Sequence, residues 1–147
     1  MATFAPYHVD IAGWTKWKSS SDYASFTRTI NTNGWSMGYT ACAAGGSSAK
    51  HIEWDVALAA GTWTIMFTYV KTSASGIATV SLDGSDIGTI DTWKSSGLQP
   101  NFRSSIASIV VASPGVKELK VSTATKNASS TDYDFLLQWI TLSRTGA

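Results

Sequence analysis

Between Lys50 and Val70 apolar and polar residues alternate at period two, and this alternation excludes a helix from the middle of the chain. In "KHIEWDV", Ile52, Trp54 and Val56 fall on one side and His51, Glu53 and Asp55 on the other, as in a half-buried strand. A turn around Gly61 follows. "WTIMFTYVK" then sets Trp63, Ile65, Phe67 and Tyr69 against Thr64, Met66, Thr68 and Val70, and the first set, being larger, is the expected core side.

The same grammar continues to the end of the chain. "IATVSL" alternates up to an Asp83-Gly84 turn signal and "DIGTI" returns. "DTWKSSGLQPNFRS", with Trp93, Gly97, Pro100 and Phe102, reads as a long loop, too rich in breakers for a strand interior. "IASIVVA", "VKELKVST" (with Val116, Leu119 and Val121 as its apolar positions) and "YDFLLQWITLSR" read as strands, separated by "SPG" and the polar loop "ATKNASST". The first third is less regular, with strands expected near Ser25 to Thr29 and Gly34 to Ala41 and a mobile or docked loop at "AAGGSSA". Eight or nine short strands without a long helix predict an all-β fold, a two-sheet antiparallel β-sandwich of jelly-roll type. A length of 147 residues suits one domain spanning 1–147. Residues 1–30 either pack on the sandwich or reach out as a docking N-terminal arm.

Charge narrows the function classes. Eleven Lys and Arg against ten Asp and Glu leave a net charge of +1, so no one-signed field attracts nucleic acid or an anionic membrane. The charged fraction of 14% leaves a neutral, hydroxyl-rich surface. Cys42 is the single cysteine, so no intramolecular disulfide forms, and neither His8 nor His51 stands in a recognisable motif with it. "MATFAPYHVDIAGW" lacks a basic region followed by an apolar run, and no stretch is long and apolar enough for membrane insertion. With Met1 at its head the chain reads as a complete small protein made in the cytoplasm, or one released by lysis.

No catalytic set emerges. There is no nucleophile elbow, phosphate loop or zinc spacing, and no pair among the ten acids is singled out for glycoside hydrolysis. Asp83, Asp86 and Asp91 match no cation loop, and Asp83 is explained by its turn, so neither a metal nor a cofactor is expected. Asn127-Ala128-Ser129 fits a glycosylation sequon but is read as polar loop. Of the seven Trp, alternation assigns Trp54, Trp63 and Trp139 to the core. Trp14, Trp17, Trp35 and Trp93 sit in turn-rich context, where a Trp serves as ligand platform, protein interface or partial core.

The run "IEWDVALAAGTWTIMFTYVKTSASGIATVSLDGSDIGTI", with "GVKELKVST" and "FLLQWITL", resembles the carbohydrate-binding modules of families 6 and 35 over Glu53 to Leu142. The resemblance implies a sugar cleft with an aromatic wall at Gly38-Tyr39, an opposite wall in "SSGLQP", and an amide hook three residues before the closing Trp. Leu98 occupies the second position, with Trp93 and Phe102 in the same loop; Leu136 occupies the third, with Gln138 beside Trp139. It also implies a structural calcium, whose usual N-terminal Glu has no counterpart here. Jelly rolls of this kind also serve in virions.

Two functions follow as expectations. The first is a bacteriophage virion surface protein, a head decoration, fibre or receptor-binding component. It would assemble with capsid or tail proteins as a homo-oligomer, a trimer favoured, through interface aromatics such as Trp14, Trp17 and Trp35. The second is a stand-alone carbohydrate-binding module, with Tyr39, Trp93, Phe102 and Gln138 as ligand contacts.

Overall fold

The structure is a computed structural model that describes residues 51–147 with their side chains, and before them the backbone of strands at 7–10, 17–19, 25–30, 36–42 and Lys50. Among the described residues eleven strands follow in chain order: β1 Tyr7–Asp10, β2 Trp17–Ser19, β3 Ser25–Ile30, β4 Ser36–Cys42, β5 Lys50–Leu58, β6 Gly61–Thr72, β7 Ile77–Leu82, β8 Ser85–Asp91, β9 Leu98–Val111, β10 Gly115–Thr125 and β11 Phe135–Gly146. They form two antiparallel sheets, a six-stranded one in the order β3-β4-β11-β6-β9 with β1 also paired to β11, and a five-stranded one in the order β2-β5-β10-β7-β8. The result is an all-β jelly-roll sandwich, as the alternation predicts.

The predicted core faces are the observed ones. Ile52, Trp54, Val56 and Leu58 of β5 meet Trp63, Ile65, Phe67 and Tyr69 of β6 across the sandwich, joined by Leu119 and Val121 of β10 and Phe135, Leu137, Ile140 and Leu142 of β11. Each such side chain contributes about 1.5–3 kcal/mol by leaving water. Only Ala59 and Ala60 link β5 to β6, yet the two strands lie in different sheets, so this corner carries the chain from one layer to the other. The Trp63 indole N–H closes it by donating to the Ala59 carbonyl at 2.9 Å. Gly61 is required there: its φ is +136°, and a Cβ would run into the Gly146 carbonyl oxygen and the Arg144 side chain.

The β7–β8 turn is also as predicted, with Asp83 at φ 49° and Gly84 at 78°, the left-handed pair of a type I′ hairpin. Asp83 does more than turn the chain. Its Oδ1 accepts the Glu118 backbone N–H at 2.8 Å and its Oδ2 meets Lys117 Nζ at 3.1 Å, tying the hairpin to β10. These bonds, the backbone one first, hold its carboxyl below the ordinary range.

Four expectations are corrected. The long loop after Asp91 ends at Leu98, because Pro100 and Phe102 belong to β9, an edge strand where a missing N–H costs no ladder bond. Val116 is exposed (69%), since it lies near the start of β10, while Leu119 and Val121 are buried. Trp139 is only partly buried, because the pairing of β11 with β6 shifts between Leu137 and Trp139. Phe135 and Leu137 face the core, then Ile140 and Leu142, so the extra residue, Gln138, turns Trp139 to the outer face. Finally, two strands the pattern does not announce, β1 and β2, pair with β11 and β5 respectively. β3 and β4 match the two expected N-terminal strands closely.

Candidate functional site

The end of the six-stranded sheet that carries the β8–β9 and β10–β11 loops holds two of the residues singled out in the sequence, Gln138 in β11 and Trp93 bridged to Thr72 of β6. Two bulges shape it. In β11, Gln138 is inserted between the residues paired with Tyr69 and Thr68; in β9, Pro100 and Asn101 together oppose Val70, between the Gln99–Lys71 and Phe102–Tyr69 pairs. β11 and β9 flank β6, so the two bulges face each other across one strand.

They are bonded across it. Asn101, at φ 60°, donates its backbone N–H to Gln138 Oε1 at 2.7 Å, and Gln138 Nε2 donates to Asn101 Oδ1 at 3.2 Å. The two side chains thus lie over β6, whose outward-facing Thr68 and Val70 are fully buried. Gln138 is itself buried (7%) and Asn101 exposed. Gln138 is therefore the anchor of the pair, and Asn101 presents its amide nitrogen to solvent. Asn tolerates the left-handed conformation better than most residues, which is what the bulge demands.

The flanks are as follows. Tyr39 lies in β4 next to Thr40, the partner of Leu137, and two residues from Ala41, the partner of Leu136. Leu136 is buried and Leu98, opposite Thr72, is 47% exposed. Trp93 pairs with Thr72 in an isolated bridge; its backbone N–H is held by Asp91 Oδ1 at 3.0 Å and the following Lys94 N–H by the Thr72 carbonyl at 3.0 Å. The indole is half-buried and its Nε1 has no hydrogen-bond partner among the described residues. Phe102 faces the opposite way, toward the core: its ring lies 6.0 Å from that of Tyr69, with Lys71 Nζ 4.4 Å from its centroid. Tyr69 donates to or accepts from Ser104 at 2.9 Å, and burial, with the Asp91 charge adding to it, pushes its phenol above the ordinary range against the Ser104 bond. Trp17 pairs with Trp54 on the other sheet; Trp14 and Trp35 lie outside the described residues.

The loops behind this site are stiffened by hydrogen bonds. Gly76 N–H donates to the Asp134 carbonyl at 2.8 Å, Thr92 Oγ1 to the Gly76 carbonyl at 2.8 Å, and the Ser130 hydroxyl lies 2.8 Å from both the Ser75 and Asp132 carbonyls. Strands β6, β9 and β11 contain Lys71, Arg103 and Arg144 and no Asp or Glu, so their shared face holds no carboxylate pair for acid–base work. Among the described residues no group of three His, Cys, Asp or Glu could hold a metal ion. Asn101 was missed by sequence reasoning; the signal available was "QPNF", a Pro-Asn pair inside an apolar-rich run.

No protein-family model matches this sequence, and no curated protein matches it. Solved structures do. A family 35 carbohydrate-binding module from Clostridium thermocellum superposes with a TM-score of 0.64 at 16% identity, over 95% of this chain and 98% of that one. The fold is that of the family 6 and 35 carbohydrate-binding modules. A second module of this fold, CBM6cm-2 from Cellvibrio mixtus lichenase 5A in complex with cellotriose, gives 0.53 at 12% identity, over 95% and 97%. A xanthan lyase from Paenibacillus gives 0.69 at 18% identity over 99% of this chain, which spans 14% of the lyase's length.

Proposed function

We propose that this chain is a non-catalytic saccharide-binding module whose site is the outer-face region bounded by Tyr39, Trp93, Leu98 and the Asn101–Gln138 pair. The observation that carries the reading is that pair, an exposed amide held rigid by a buried one beside half-open aromatic and aliphatic surface. A sugar is bound by stacking its C–H face on such surface while a few fixed polar groups take its hydroxyls. The shared fold with carbohydrate-binding modules supports the same reading. A glycan array followed by calorimetry tests it: at least one oligosaccharide should bind, and Tyr39→Ala and Trp93→Ala should each weaken it about tenfold or more. A blank array with folded protein overturns it.

A second reading, a virion surface protein contacting capsid or tail proteins as a homo-oligomer, is favoured by a different region. Val110 (74% exposed), near the end of the edge strand β9, and Val116 (69%), near the start of β10, stand exposed on either side of the β9–β10 turn. A groove of about 540 Å³ opens beside Val110, lined by Leu82, Ile87 and Ile109 and by the polar Asp83, Ser108 and Lys117. Exposed apolar side chains beside such a groove suit a contact with another protein surface. Light scattering on the eluted protein should give a trimer, and a strict monomer that also ignores purified capsids sinks this reading.

A further inference from the structure

We propose that the free edges of β8 and β9 form a two-fold interface with a second copy of this chain, in which β8 of each copy pairs antiparallel with β9 of the other, a contact that neither reading above requires. β8 ends the five-stranded sheet and β9 the six-stranded one, so among the described residues each is bonded on one side alone. Both lie on the same side of the sandwich. The Ile106 side chain of β9 sits against Gly88 of β8, where a Cβ would come to 3.0 Å from it, and the groove between the strands is lined by Ile87 and Ile109. They run in opposite directions: the start of β8 and the end of β9 line that groove, while Trp93 just after β8 bridges to Thr72, the partner of Leu98 at the start of β9. A free edge is a template for another strand unless charges, bulges or a covering element block it. Bulges interrupt these edges at Ile87 in β8 and beside Asn101 and Ser108 in β9, and leave residues 88–91 and 102–106 regular.

Two such edges can meet a second copy about a two-fold axis in two ways. With the axis across the sheets, β8 meets β8 and β9 meets β9; with the axis along the strands, β8 meets β9 in both layers. Charge selects the second. β8 carries Asp86 and Asp91 and no base, whereas β9 carries Arg103 and no acid, and all three are exposed. Like edges would set carboxylates against carboxylates, which destabilises a strand pair, while unlike edges set them against a guanidinium. The register agrees. A two-fold axis along the strands moves nothing along them, so Gly88, level with Ile106 in its own copy, falls opposite the partner's Ile106, and Asp91 then falls opposite the partner's Arg103. Residues 88–91 thus pair with 103–106, the regular stretches of both strands, and Pro100 stays outside the ladder. The faces match as well: Ile90 and Ser104, the latter bonded to Tyr69, turn toward the core, and the exposed Thr89 and Ser105 turn away. Asp91 Oδ1 accepts the Trp93 N–H, which fixes the carboxylate and leaves its other oxygen to the guanidinium. Arg103 makes no ion pair among the described residues. The axis also sets groove against groove, so that Ile87 and Ile109 of both copies close an apolar centre within a charged rim.

Sedimentation equilibrium on the full chain over about a hundredfold range of concentration tests this. A reversible monomer–dimer equilibrium is expected, with amides of residues 103–106 gaining protection from exchange as the dimer forms. Arg103→Glu and Asp91→Lys should each weaken dimerisation about tenfold or more, since each sets like charges across both strand pairs. The two together in one chain should restore dimerisation to within about threefold of the parent, a rescue that neither a misfolded variant nor an interface elsewhere would produce. A monomer throughout, a trimer such as the virion reading expects, a dimer indifferent to the single reversals, or a double variant no better than the singles overturns the inference.

Discussion

The central β5–β10 pair of one sheet and the β6 pairs of the other are built from the same kind of strand and differ in how regularly they pair. β5 and β10 run from Leu58 opposite Gly115 to Lys50 opposite Thr123 without a shift, whereas β6 shifts twice against β9 and twice against β11. The regular pair carries a charge lattice on its outer face, with Glu53 between His51 at 3.2 Å and Lys120 at 3.8 Å. The irregular strands carry the amide bridge and two non-glycine residues with positive φ, Asn101 and Ser108. Regular pairing leaves every side chain where alternation puts it, which makes a scaffold. A bulge re-aims side chains at a small cost in pairing, and the candidate site sits where two bulges meet.

The largest expected effect erases the comparison, because both sheets share one core. Phe67→Ala on β6 and Trp54→Ala on β5, both fully buried, should each cost about 3–5 kcal/mol in denaturant unfolding. A markedly cheaper Phe67→Ala would mean the bulged sheet is also loosely packed. Gln138→Ala comes next and separates the sheets, since it strands the Asn101 N–H and opens space over β6; about 1–3 kcal/mol is expected. Ser130→Ala removes a hydroxyl that bonds the carbonyls of neighbouring loops and should cost about 1 kcal/mol, with faster amide exchange at Gly76 and Asp134 as the local readout.

The smallest effect belongs to the five-stranded sheet. Asp83 titrates below its ordinary 3.8 in the folded protein, so its contribution is full above that value and is lost as pH falls from 3.8 through the lower folded value. Asp83→Asn should therefore flatten the acid limb of the stability curve in that window and leave neutral pH little changed, because the carboxyl and its Lys117 partner are open to solvent. Thermal melts from pH 2 to 7 measure it.

Where local pattern and pairing agree, the chain is legible. "KHIEWDV" and "WTIMFTYVK" announce β5 and the start of β6 and their core faces, and Asp83-Gly84 announces its hairpin. The site is half legible. Trp93 and Gln138 are visible as candidates, but the role of Gln138 is not, since its partner Asn101 lies 37 residues earlier in a segment that reads as loop.

The sequence by itself determined the architecture: period-two burial leaves a sheet as the only element that can hide Ile52, Trp54, Phe67 and Tyr69 together, and a chain of such strands has to close into a sandwich. Tertiary structure alone decided which way the outer residues point. Inserting Gln138 into β11 turns Trp139 outward, and inserting one residue beside Asn101 in β9 brings the two amides together over β6. The position of a bulge is set by the partner strands, and no window of local sequence contains them.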